Sequence, residues 1–459
     1  MNSLKYLFLN KKITIFIIFL VFYLSHQIYF ILIGGTTWDE PASIISASKQ
    51  IYKVYLTLVD FNNPIFDVLT PQETYGGLLF IPAYFITSFD FIINFFSALL
   101  SNLSFVNAEN KLEIAIIVRH IFLNIYVLII LLLCFLKIRK LYGDISAILI
   151  TSFILLIPSF NGHSLFNFAD IPLAIHFYLA AIFFLYYLGN FDAKNLYKIG
   201  IVFGLALLTR VNAIAFLSFL SLFELIHFYF FKLKFGFGKI IKKILIKNLK
   251  IYSVAILVLY VGTPSAWKSP LFWLKEVYIY QFNHPNNVPS ILNGKEILAY
   301  EAPRTYLIEW FLYKIPVLFI MLFLTSIIMY FVFSKFKDNN LFRLSLFFVF
   351  IVNLAFVIYQ PVAYDAIRHY LFLIPFIVII SVQPLLYLIN KSKKIGYFSA
   401  LFIIFYLINT QIGLSAYKYV YMNEFVNETE IAIDCEVYVA QSGCGDWATD
   451  YWGYGGKEL

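Results

Sequence analysis

The chain has 459 residues, of which 61% are hydrophobic and 13% charged, and its mean hydropathy is +0.81. A soluble domain carries about 25% charged residues, so this composition excludes a soluble globular protein and indicates a polytopic membrane protein. The formal net charge of +8 does not mark a nucleic-acid binder, because most basic residues lie in short loops between apolar runs, where they set topology.

Apolar runs of roughly 20 residues, long enough to cross the hydrocarbon core, recur along the chain. Eleven spans are predicted, at about 13–33, 114–136, 145–160, 171–188, 199–211, 213–231, 251–263, 306–333, 343–360, 369–389 and 396–413. The first is too long for a signal h-region and lacks a small-residue cleavage site, so it reads as a retained anchor. The run 76–100 is also apolar, but a span there would place Lys137, Arg139 and Lys140 opposite the other basic loops. It is read instead as helices lying at the outer interface or re-entering, inside a long first external loop, 34–113. The stretch 199–231 exceeds one upright helix at about 1.5 Å per residue. It is read as two spans broken near Arg210, where a charge at a turn reaches the interface.

With Lys5, Lys11 and Lys12 inside, the Lys-rich loop 232–250, Lys335, Lys337 and Arg343, and Lys391, Lys393 and Lys394 share the cytoplasmic side. The N-terminus is then cytoplasmic and the C-terminus external. Residues 1–413 form one transmembrane unit with a large external loop at 264–305, followed by a short external tail at 414–459. Apart from Asp144, Asp192, Asp338 and Glu224, nearly all acidic residues fall outside, so the polar chemistry is concentrated on the external face. Cys134 lies in an apolar run; Cys435 and Cys444 lie in the tail, where an oxidising compartment permits a disulfide that spacing does not establish.

Candidate groups cluster at the external mouths of the spans. The first external loop begins with Trp38, Asp39 and Glu40, two adjacent carboxylates beside an interfacial aromatic. They read either as a solvated loop start or as a general base at the depth of a lipid phosphate. The second external loop contains His163 and ends at Asp170, followed by Ile171 and Pro172; Asp170 suits a helix N-cap and a site carboxylate alike. Arg210 reads as a snorkelling arginine or as a bidentate partner for phosphate. Tyr364, Asp365, Arg368 and His369 repeat the theme, with an Asp365–Arg368 helical pair as the plainer reading. His284 and Asn293 lie in the large external loop, rich in Asn, Pro and Tyr, that can present hydrogen-bonding and stacking groups to a sugar. No Walker A sequence, GxGxxG turn or HExxH occurs.

In this order, Trp38-Asp39-Glu40, Gly162-His163 through Asp170-Ile171-Pro172, Leu208 to Asn212, His284-Pro285 with Asn293-Gly294, Pro303 to Trp310, and Tyr364-Asp365 through Arg368-His369 resemble the GT-C superfamily of multi-spanning glycosyltransferases. The pattern looks most like the bacterial relatives of the protein O-mannosyltransferases and the lipid A aminoarabinose transferases. Residues 450–453, Asp-Tyr-Trp-Gly, are similar to a subgroup. The resemblance implies an all-α fold of about eleven transmembrane helices with external interfacial helices. It also implies inverting transfer from a polyprenyl-phosphate sugar to a glycan, lipid or protein acceptor at the periplasmic face of a bacterial inner membrane. Asp39 would be the base with Glu40 beside it, Asp170 the second-loop carboxylate, and Arg210 and Arg368 the phosphate contacts. Where some relatives keep a lysine before that second carboxylate, this chain has Ala169. No cofactor is required; a divalent metal would need Asp39, Glu40 and Asp170 to converge. The alternative function is a transporter or flippase for a lipid-linked glycan, which needs a lipid groove and cations but no base.

Overall fold

The computed structural model describes residues 11–37, 40–74, 77–101, 110–190, 192–231, 237–282, 289–293, 295–333, 339–426, 431–432 and 447–448. Asp39, His284, Cys435, Cys444 and residues 450–453 lie outside these. The first apolar run forms α1 (Lys11–Ile33). Residues 34–113, predicted as the first external loop, hold α2 (Glu40–Val59), α3 (Phe80–Thr87) and α4 (Asp90–Leu100), the last two bent 78° from each other. Neither arm of that pair has the ~20 residues of an upright span.

Two predicted spans, 114–136 and 145–160, belong to α5 (Lys111–Leu156), which is broken at Gly143 with φ 85°, a conformation that strains any side chain. Asn110 caps its start by accepting from the amides of Leu112 and Glu113. The short α6 (Pro158–His163) leads to α7 (Asp170–Asn190), and the stretch 199–231 is divided between α8 (Ala193–Leu207) and α9 (Ile214–Phe231), with Arg210 at the break. Then come α10 (Phe237–Val261), α11 (Pro270–Val277) and a hairpin of β1 (Pro289–Leu292) and β2 (Lys295–Leu298).

The predicted single span 306–333 is corrected: α12 (Tyr306–Lys314) and α13 (Val317–Val332) meet at 116°. Pro316, at the break, has no amide hydrogen to continue a helix. The chain continues through α14 (Asn340–Tyr359), a 3-10 turn at Arg368–Leu373, α15 (Ile374–Ser381), α16 (Gln383–Lys391) and α17 (Lys393–Asn409). Beyond it, β3 (Ile431–Ala432) pairs in parallel with β4 (Trp447–Ala448).

Among the described residues six helices are long and apolar enough to cross a membrane, or up to eight if each bent pair counts as one. The protein is thus an all-α polytopic membrane protein. The eleven predicted runs do not map one to one onto these helices. Two merge in α5, while α8 and α17 have only 15 and 17 residues.

Between membrane helices close packing replaces a hydrophobic drive. Gly200 and Gly204 bring α8 against α10; a Cβ on either would fall 2.7 and 2.6 Å from the Cβ atoms of Val254 and Val258. An aromatic ladder ties α7, α9, α14 and α15 together. Phe177 stacks on Phe216 at 3.8 Å, Phe216 on Phe348 at 4.6 Å, and Phe348 on Phe376 at 5.0 Å. Phe177 and Phe216 of this ladder also line the cavity of the site.

Candidate active site

The site is built on the start of α7. The Asn167 Oδ1 accepts from the amides of Ala169 and Asp170, so Asn167 does the capping that the sequence suggested for Asp170. The Asp170 carboxylate is thereby available for other partners. It receives Nδ2 of Asn167 at 3.0 Å and two bonds from Arg210, Nε at 2.9 Å and Nη2 at 3.2 Å. This is the fork geometry that suits guanidinium and carboxylate. Arg368 approaches the same carboxylate at 3.8 Å and Asp365 at 3.2 Å. Asp365 and Ala366 both have left-handed backbone, φ 56° and 52°, costing roughly 1–3 kcal/mol each. The turn they make accompanies the return of Arg368 to Asp170. The Arg368 guanidinium lies 5.0 Å from the Tyr364 ring centre, and the Tyr364 and His369 rings meet edge to face at 4.8 Å.

Asp170, Arg210, Tyr364 and His369 line one end of a cavity of about 400 Å³. Its remaining wall is largely apolar: Phe177 of α7, Phe216 and Phe219 of α9, and Val352 and Phe356 of α14, with Tyr280 of the large external loop. The two arginines differ in place. Arg210, with 12% of its side chain exposed, lines the cavity, whereas Arg368, at 3%, is buried between Asp170 and Asp365.

The other predicted residues lie around this centre. Glu40 begins α2 but is buried. One carboxylate oxygen meets Nε2 of His120 at 2.6 Å and the other accepts from the Thr37 amide at 2.7 Å. His163 packs against the rings of Phe166 and Tyr419. Burial, only partly offset by Asp170, pushes its pKa down to about 3, so it is neutral at physiological pH. Asn293 sits exposed at the β1–β2 turn with φ 52° and is not among the residues that line the cavity. Asp39 immediately precedes Glu40 but lies outside the described residues.

Sequence reasoning missed Arg119 and His120, on the first turns of α5. Arg119 is 1% exposed, its Nε and Nη1 have no hydrogen-bond partner among the described residues, and its guanidinium lies 5.6 Å from the Phe168 ring centre. His120 holds Glu40, and its ring is 6.3 Å from that of Phe168. Both thus face the residues leading into Asp170. The available signal was an ionisable pair inside an apolar run, which in a membrane protein is itself a functional flag. The first loop also reaches the Arg210 side, where the Leu78 amide donates to the Leu208 carbonyl at 3.3 Å. Among the described residues no three His, Cys, Asp or Glu side chains converge as for a metal.

No protein-family model matches the sequence, and no curated protein matches it. The structure is similar to that of ArnT from Cupriavidus metallidurans in the apo state, with a TM-score of 0.50 and 12% identity, covering 87% of this chain and 65% of that one. A structure of the same protein bound to undecaprenyl phosphate aligns with a TM-score of 0.46 and 12% identity, covering 84% and 63%. This chain therefore spans just under two thirds of ArnT's length.

Proposed function

With the GT-C superfamily fold as premise, we propose that the protein is a glycosyltransferase that moves a sugar from a polyprenyl-phosphate donor to a glycan, lipid or protein acceptor at the periplasmic face. The observation that carries this is the two-sided character of one cavity. Asp170, Arg210, Tyr364 and His369 stand at one end, and the aromatic wall of α7, α9 and α14 extends from it. A phosphate with an isoprenoid tail has the same division of polar and apolar parts.

In this reading Arg210 receives the phosphate. A guanidinium has five N–H donors, of which Asp170 takes two, so the carboxylate fixes the direction of the fork. Arg368, itself paired with Asp365, adds a second positive charge beside Asp170. The acceptor oxygen attacks the anomeric carbon while the bond to the phosphate oxygen breaks; Asp39 takes the acceptor's proton and the lipid phosphate leaves with the electron pair. Fixed charge at the departing phosphate supplies a large share of the rate.

The test is mass spectrometry of lipid-linked sugars and surface glycans in cells with and without the protein. Loss of the protein should raise one polyprenyl-phosphate sugar and remove that sugar from one surface molecule. No change in either pool would overturn the assignment, and a glycan relocated without release of free polyprenyl phosphate would identify a flippase. In the same assay Arg210→Ala should raise the donor concentration needed for half-maximal transfer at least roughly tenfold, equivalent to about 1.4 kcal/mol. Asp39→Asn should abolish turnover with donor binding retained.

A further inference from the structure

A second cavity, of about 650 Å³, lies at the other end of α14 from the site. Asn339, which caps α14, lines it, while Tyr359, the last residue of α14, lines the first cavity. Twenty residues of helix separate the two by about 30 Å, the thickness of a hydrocarbon core. Four segments meet there: the start of α1, the Gly143 break of α5, the start of α14 and α16 along its length.

The lining has a distinct order. Gln383 and Asn339 form a hydrogen-bonded amide pair at 3.4 Å, and the Tyr142 hydroxyl accepts from the Leu341 amide at 3.2 Å. Lys12, Asn390 and Lys391 are exposed at the rim; the Lys391 ammonium lies 5.3 Å from the Tyr387 ring centre. Asp144 also lines the cavity, but its carboxylate is matched by Arg139 at 2.5 Å. Leu386 and Ile389 add apolar surface. Two ammonium groups over neutral amides, beside apolar side chains, suit a singly charged phosphodiester whose chains remain in the bilayer. Basic pockets between membrane helices hold anionic head groups by this means.

We propose that this cavity is a binding site for the head group of an anionic phospholipid, drawn from the leaflet opposite the donor site. The protein holds such a lipid there whether or not transfer is occurring, so the site is independent of the transferase reading.

The test uses full-length protein in mixed nanodiscs containing equimolar phosphatidylglycerol and phosphatidylcholine, with retained lipids counted by native mass spectrometry after release. Wild type should retain phosphatidylglycerol about thirtyfold over phosphatidylcholine, the preference expected of two lysines near a lipid surface. The double variant Lys12→Gln/Lys391→Gln should lose that preference, and Lys12→Arg/Lys391→Arg should keep it. Thermal melting of each variant separates loss of lipid from loss of fold. Equal retention of the two lipids by wild type, or an undiminished preference in a folded glutamine variant, would overturn the proposal. So would stabilisation by inorganic phosphate equal to that by phosphatidylglycerol, which would make this a site for a free anion.

Discussion

Arg119 is a buried cation whose Nε and Nη1 make no hydrogen bond among the described residues, set against the Phe168 ring. Burying such a group costs several kcal/mol, and the nearby Glu40 carboxylate offsets this only in part, so its value to the protein lies outside stability. Arg119→Met should melt at or above the wild-type temperature while turnover falls at least roughly tenfold, about 1.4 kcal/mol in the barrier. Arg119→Lys should recover only part of the rate, because an ammonium lacks the planar fork that lies over Phe168. Melting and turnover measured side by side decide this; unchanged turnover in Arg119→Met would reduce Arg119 to a packing residue. Lys418 gives a pH-dependent counterpart. It is 1% exposed, 4.0 Å from the Phe30 ring centre and 3.4 Å from both His26 and Asn161, and burial lowers its pKa to about 7. Unfolded lysine titrates near 10.4, so between about 7 and 10.4 the unfolded chain binds more protons and folding gains stability as pH rises. Wild type should therefore gain roughly 1–3 °C more in melting temperature than Lys418→Met between about pH 7 and 9; parallel curves would contradict the assignment. Asp170, Arg210, Arg368 and His369 were legible in the sequence because charges at span mouths stand out against apolar runs. Arg119 was not, because its significance depends on Phe168 and Glu40, which are remote along the chain.

At the level of elements, apolar run length located most helices, and what it could not express was bending. The run 306–333 has one continuous hydropathy signal, yet Pro316 turns the chain through 116°, and α5 joins two runs through a single glycine. Capping was misjudged for a related reason: Asp170 and Asn167 both suit the start of a helix, and only the fold shows which faces the amides. This division of labour can be tested. Asn167→Ala removes the oxygen that accepts from Ala169 and Asp170, and should destabilise the start of α7 by about 1 kcal/mol. Asp170 can then turn back to cap its own helix, loosening its hold on Arg210. Donor affinity should consequently drop with only a small fall in melting temperature, and Asn167→Ser, which can still cap, should restore it. If affinity is unchanged when stability falls, capping and site geometry are uncoupled.

At the level of the whole molecule, the basic loops predict a sidedness in which the two cavities open to opposite faces. The loop 264–305 reports the face of the site, because the Ala363 backbone amide donates to the Ala299 carbonyl at 2.9 Å and the Gln360 side-chain Nε2 to the Ala302 carbonyl at 2.8 Å. Tyr300, between these anchors, is 56% exposed. Lys394, on the first turn of α17, is exposed and lies close in sequence to Lys391 at the opposite cavity. Each can be replaced by cysteine in a chain carrying Cys435→Ser and Cys444→Ser, because Cys134 is buried. A membrane-impermeant maleimide should label Tyr300→Cys in intact spheroplasts, and Lys394→Cys only after the membrane is opened, as the excess of lysine and arginine on one side requires. Labelling in the reverse order would put Arg210 and Asp170 in the cytoplasm, where a donor presented from the periplasmic leaflet could not reach them. The lipid site would then change leaflet as well, since the span of α14 holds the two cavities a bilayer apart.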